Sequence, residues 1–280
     1  MAATTRRTFV IASALCVTAT SRVRAHEHEH GGFRSLFDGK TLDGWKPHPR
    51  SLQQPSLGKW TVEDGMIVGA QETPGIGSYL VTEETFADLE LEIEARPDWP
   101  ADTGVLVRTN AQGNIGFQIL VDHRPHGGIG SYYGNGLGNW HAWGYSFTAE
   151  KDSNGRVVRL IPGPPEEPTR GTHTVPLDFA APVETFLRVW KPGGWNRFRI
   201  RCVGAVPQLA TWINGEKIAE LDTAKMQAPG WDPQAALEKV GRSGHIALEV
   251  HSNGPNDPLG KDRWAPGAVC RWRNIAIKTL

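Results

Sequence analysis

Asp88-Leu89-Glu90-Leu91-Glu92-Ile93-Glu94 alternates acidic and aliphatic residues without interruption. A strand turns successive side chains to opposite faces, so Leu89, Leu91 and Ile93 share one face and Glu90, Glu92 and Glu94 the other. Burying each aliphatic side chain contributes roughly 1.5 to 3 kcal/mol. A slip of one residue would turn all three outward, so the register is firmly set. The carboxylates then face either plain solvent or the outer face of a curved sheet.

Outward from this stretch, from Phe33 onward, short apolar runs are punctuated by Gly, Pro, Asn and Asp, the pattern of many short strands. It predicts strands at Trp60–Val62, Met66–Ala70, Tyr79–Thr82, Asp88–Ala95, Thr103–Arg108 and Ile115–Val121. Further strands are predicted at Asn196–Val203, Gln208–Ile213, Glu216–Glu220, His245–His251 and Val269–Ile277. Asn214-Gly215 marks a hairpin turn, since both residues tolerate positive φ. Eleven Trp and 32 Gly suit flat apolar faces joined by turns. The expected fold class is all-β, a two-sheet antiparallel β-sandwich, with residues 33–280 as one domain. A Pro- and Gly-rich insertion near 150–192, with a short helix at Val183–Val189, is expected to form a wall or lid. The formal net charge is zero, so no field draws in nucleic acid or anionic lipid; Leu15 stands where a lipidation signal at Cys16 would want a small residue, so no membrane anchor is expected.

Ahead of this domain, Thr5-Arg6-Arg7-Thr8-Phe9-Val10 leads into an apolar run and then Val23-Arg24-Ala25, the pattern of an export signal over 1–25. The paired arginines resemble a twin-arginine signal, and the expected location is periplasmic or secreted. Residues 26–32, where His26, His28 and His30 alternate with Glu27 and Glu29, read as a flexible solvated tail. In an oxidising compartment Cys202 and Cys270 can pair if their Cβ atoms approach, which the sequence leaves open.

Phe33-Arg34-Ser35-Leu36-Phe37-Asp38-Gly39-Lys40-Thr41-Leu42-Asp43-Gly44-Trp45 resembles the opening of the 3-keto-disaccharide hydrolase domain family. Trp60-Thr61-Val62-Glu63-Asp64-Gly65, Gly104-Val105-Leu106-Val107-Arg108, Gln118-Ile119-Leu120-Val121-Asp122, Ile213-Asn214-Gly215 and Gly244-His245-Ile246-Ala247-Leu248-Glu249-Val250-His251 extend the resemblance in order. It implies a concanavalin- or laminarinase-like jelly roll that cleaves glycosides carrying a ketone at C3. Such a ketone acidifies the C2 proton, so a base can remove it, an enolate forms, the C1 substituent leaves by β-elimination, and water adds. The site then needs a base, an acid and an enolate stabiliser. Two departures stand out: Gly116 where many members carry Glu, and Glu249 where a Gln is common.

The residue types wanted are present. Glu90, Arg108, Asp122, His123, Glu249 and His251 are the catalytic candidates, and each competes with a bland role: a solvated strand glutamate for Glu90, a surface ion pair for Arg108. Asp122-His123-Arg124-Pro125-His126-Gly127-Gly128 is the densest polar stretch. Glu249 and His251, two apart on one strand, face the same way. Gln118, Tyr132, Tyr133, Trp140, His141 and Trp143 are candidates for sugar contacts, with core packing the competing role for the aromatics. The sequence names no certain cofactor; a divalent cation is open, for which Asp122, His123, Glu249 and His251 could offer ligands. A small carbohydrate is the expected partner. The alternatives are a non-catalytic carbohydrate-binding module and a conventional retaining glycosidase, the latter because Glu90-Leu91-Glu92-Ile93-Glu94 resembles the Glu-x-Asp-x-Glu strand of laminarinase-like enzymes.

Overall fold

A computed structural model describes Met1 and residues 31–124, 128–164, 173–253 and 262–280. The expected signal beyond Met1, the His26–His30 run and His126 fall outside them.

The aliphatic face of Leu89–Pro97 seeds one of two packed sheets. In hydrogen-bonded order the first sheet runs Phe179–Ala180, Glu216–Asp222, Gln208–Ile213, Asn196–Val203, Leu89–Pro97, Cys270–Thr279, Met66–Ala70 and Lys59–Glu63, with Arg34–Ser35 added on Cys270–Thr279. The second runs His173–Thr174, Trp140–Ala142, Tyr132–Asn135, Gly116–Val121, Thr103–Thr109, His245–Val250, Ser78–Thr82 and Trp45–Pro49. Leu89, Leu91 and Ile93 are fully buried and share one apolar core with Phe117, Ile119, Ile246 and Leu248 of the opposite sheet. The predicted antiparallel sandwich is therefore the architecture formed, and the turn at Asn214 and Gly215 has positive φ at both residues, 50° and 94°.

Within the Pro- and Gly-rich insertion near 150–192, the described residues are tied into both sheets. Phe147–Lys151 and Val157–Pro162 pair as a separate hairpin. His173–Thr174 then adds in parallel to Trp140–Ala142, and Phe179–Ala180 adds to Glu216–Asp222. The predicted helix Val183–Val189 seats Phe186 on Tyr145, with centroids 4.7 Å apart. The chain here closes one edge of each sheet.

Cys202 and Cys270 do not pair; both are free and buried. They sit opposite Leu89 and Pro97, the two ends of one strand. At about 3.3 Å per residue those ends are roughly 26 Å apart, far beyond the roughly 7 Å a disulfide tolerates.

Candidate functional site

Pleating decides which side chains reach the outer face of the second sheet. On His245–Val250 the core takes Ile246, Leu248 and Val250, leaving Ala247 and Glu249 outward. Tyr79, Val81 and Leu106 join Ala247 in a small separate apolar cluster on that outer face. The turn after Thr109 folds down onto it: at Gly113, with φ +74°, an added Cβ would stand 2.7 Å from Val81 Cγ2, so only glycine allows this approach. One part of the outer face is thereby sealed, and polar groups occupy the adjoining region.

Glu249 lies at its centre, 0% exposed. Its Oε1 accepts from the Arg50 guanidinium and from Tyr79 Oη at 3.4 Å, and its Oε2 accepts from Gln118 Nε2 at 2.5 Å. A buried carboxylate is costly unless paired and hydrogen-bonded, and these donors meet that requirement. His251 sits beside it. Its Nδ1 is 2.6 Å from Ser252 O and so carries the ring proton, leaving Nε2 to accept from Arg50 Nη2 at 3.0 Å and Arg263 Nη1 at 3.1 Å. Arg263 also pairs with buried Asp102, whose Oδ2 is 3.8 Å from His251 Nε2. Asp122 is clamped by the Arg124 side chain, with His123 Nδ1 3.9 Å away. Tyr133 stacks on His141 at 4.5 Å, and Trp143 meets His141 edge-on at 5.1 Å, forming an aromatic shelf.

Burial and charge divide the titratable groups. Burial, reinforced by Arg50 and Arg263, holds His251 well below the ordinary histidine range, so it is the neutral imidazole at neutral pH. Burial likewise lowers His123, against the pull of Asp122 and Asp102. Burial and then the charge of Asp122 push Asp102 up, although Arg263 opposes them. In Asp122 burial is outweighed by Arg124, which keeps the carboxyl below the usual range. Two neighbouring carboxyls driven apart in this way are a pattern associated with proton-transfer sites.

The predicted site residues divide into two groups. Asp122, His123, Glu249, His251, Gln118, Tyr133, His141 and Trp143 come to the face just described. Glu90 does not: with Glu92 and Glu94 it lies on the outer face of the other sheet, paired with Arg199, Arg197 and Arg273 respectively. The strand on which a retaining-glycosidase reading rested is thus an ion-pair ladder. Arg108 is wholly buried and bonds to Ala87 O and Gly204 O at 3.0 and 3.2 Å, away from the cluster. Tyr132 points into the core and donates to Ala219 O, and Trp140 is likewise a core residue. Asp122, His123, Glu249 and His251 do not form a metal centre: Arg50 and Arg124 engage the carboxylates, and among the described residues no three His, Cys, Asp or Glu are grouped to hold an ion. A cavity of about 420 Å³ lined by Trp143, Tyr145, Pro162 and Val183 adjoins the shelf only through Trp143.

Sequence reasoning missed Arg50, Tyr79, Asp102 and Arg263. Tyr79 had a usable signal, because pairing with Glu249 across adjacent strands puts both on one face. Arg50, Asp102 and Arg263 lie outside regular strands, where pleat parity says nothing.

Gly104 explains how Gln118 reaches Glu249. A Cβ at Gly104 would stand 2.5 Å from Gln118 Nε2 and 2.8 Å from its Cγ, so the amide crosses the bare glycine. Gly104→Ala should push Gln118 off Glu249 and destabilise the fold by about 1 to 3 kcal/mol through overpacking. Chemical unfolding and the Gln118 side-chain amide resonances would check this; wild-type values for both would refute the crossing.

The sequence family described as the 3-keto-alpha-glucoside-1,2-lyase-like domain matches residues 32–278. A 3-keto-disaccharide hydrolase of Bacteroides thetaiotaomicron is 34% identical over 79 residues, 26% of each chain, so the match spans about a quarter of that relative. Among solved structures, a candidate glycosyl hydrolase from Parabacteroides distasonis ATCC 8503 aligns with a TM-score of 0.50 at 18% identity, covering 89% of this chain and 94% of the other. That likeness speaks to the fold.

Proposed function

Because this chain belongs to the 3-keto-alpha-glucoside-1,2-lyase-like domain family, we propose that it cleaves 3-keto-glycosides at the face built around His251. The carrying observation is that a neutral imidazole accepts from two guanidiniums, Arg50 and Arg263, at 3.0 and 3.1 Å. In this reading the sugar enters with its C3 oxygen toward the arginines, which turn from His251 Nε2 to that oxygen. Nε2, released, takes the C2 proton; the electrons of the C2–H bond become the enolate, and the arginines carry its charge. The enolate re-forms the ketone as the C1–O1 bond breaks, leaving a C1=C2 double bond. O1 departs with the proton that Nε2 took from C2, which returns the imidazole to its neutral form, and water then adds OH at C1 and H at C2 to give the free keto sugar. Glu249 holds Arg50, Asp102 holds Arg263, and Tyr133, His141 and Trp143 offer aromatic surface to the pyranose rings.

The test is a comparison of substrates. Purified protein is incubated with a plain glucoside and with its 3-keto derivative, with and without chelator. Loss of the keto compound alone, unaffected by chelator, is the expected result. Cleavage of the plain glucoside would replace this reading with a conventional glycosidase, and binding without turnover of either would replace it with a carbohydrate-binding module.

A further inference from the structure

The separation of His251 from Arg263 is not fixed by their own strand or turn, because His251 follows the end of His245–Val250 and Arg263 lies in an irregular segment. Two amides that touch neither reacting group span the gap. Gln71 Nε2 donates to His251 O at 2.7 Å and to Asn253 Oδ1 at 2.9 Å, while its Oε1 accepts from Gly75 N at 2.8 Å. Asn253 N donates to Gly75 O at 3.1 Å, and its Nδ2 donates to Trp264 O at 2.7 Å, one residue beyond Arg263. Gly77 completes the seam: its N donates to Ser252 Oγ, and a Cβ there would stand 2.3 Å from Val250 O, so the 71–77 turn packs backbone against backbone on the strand end. On its other side the Arg263 segment is held by Asp102 N, which donates to Arg263 O at 2.6 Å.

We propose that Gln71 and Asn253 form a positioning couple that sets the distance between His251 Nε2 and the Arg263 guanidinium. The inference rests on the reading that these two groups act on the keto sugar. Every polar atom of both amides in the chain of contacts is matched, donor to acceptor, so an isosteric change of one atom should displace the Arg263 segment without removing bulk.

Asn253→Asp keeps the oxygen that accepts from Gln71 and replaces the Nδ2 donor with an oxygen facing Trp264 O. Arg263 should then draw back from His251. The groups facing His251 are Arg50, Arg263, Asp102, Arg124 and the Ser252 carbonyl; losing the Arg263 contact should let the His251 pKa rise toward the ordinary value of about 6.5. Imidazole NMR of the substrate-free protein reads the rise, and Asn253→Leu, which removes the same donor without adding a carboxylate charge, should show it as well. In turnover of a 3-keto-glucoside, kcat should fall about 10- to 100-fold with KM little changed, the mark of misplacement. Gln71→Glu, which removes the donor to His251 O and Asn253, provides the same two readouts from the other side should Asn253→Asp fail to fold. Wild-type His251 titration and wild-type kcat in a folded variant would overturn the proposal. Failure of the wild type to turn over any 3-keto-glycoside would instead overturn the functional reading, and the NMR titration alone would then decide the positioning.

Discussion

His251→Asn should lower kcat/KM on a 3-keto-glycoside about 10²- to 10⁴-fold, the usual contribution of one positioned proton-transfer group, while leaving the fold intact. Asparagine retains a polar side chain beside Arg50 and Arg263 but has no ring nitrogen to take the C2 proton. The pH dependence makes the prediction sharper. Because burial and two guanidiniums disfavour the imidazolium, the working neutral form persists below the ordinary histidine range, so the wild-type acid limb of kcat/KM should lie below about pH 6.5. The residual activity of the variant should lack that limb. Stability gives an independent check. A histidine whose folded pKa is depressed binds protons more readily in the unfolded chain, so its contribution is intact above about pH 6.5 and is lost as pH falls through the window below it. His123 is lowered as well, so the variant should flatten only part of that acid loss. A variant turning over at near the wild-type rate would remove His251 from the chemistry.

What was legible in the sequence follows from where pleat parity applies. Alternation in Asp88–Glu94 located the core face because each Leu or Ile has one favourable side, and the same logic placed Glu249 and His251 together. It could not say which sheet carries the buried polar cluster on its outer face: Glu90 obeys the alternation as well as Glu249 does, yet faces outward from the other sheet among arginines. Parity also breaks where the backbone does. At Arg108, with φ +50°, a register shift between the Thr103–Thr109 and His245–Val250 strands accompanies a side chain buried at the sandwich end. Two neighbouring tyrosines illustrate the same limit. Tyr132 and Tyr133 are alike in composition, but a one-residue phase sends the first to Ala219 O in the core and the second to the shelf. The helix Pro233–Val240 was overlooked although its signal is local: Asp232 caps it by accepting from Gln234 N and Ala235 N, with Pro at the first turn.

Arg108 supplies the second large expected effect, on stability and not on turnover. Its side chain, 0% exposed, leaves the second sheet and reaches the ends of two strands of the first. Nη2 donates to Ala87 O, just ahead of Leu89–Pro97, and to Gly204 O, just after Asn196–Val203. Asp88 Oδ1, 3.5 Å from the same nitrogen, accepts from Gly204 N at 2.8 Å, so the three groups tie one corner of the sandwich. Hydrogen bonds from a charged donor are worth about 1.5 to 3 kcal/mol each, and replacing a buried charge with an apolar side chain of similar length returns part of that loss. Arg108→Met should therefore destabilise by about 2 to 4 kcal/mol, a fall in Tm of roughly 5 to 15 °C for a domain of this size. Below the transition, kcat/KM of the folded variant should equal that of the wild type, because the guanidinium lies on the core side of the sheet from Glu249 and His251. Calorimetry and initial rates on one preparation separate the two roles. A variant with wild-type Tm and lost turnover would move Arg108 from the corner of the fold into the chemistry.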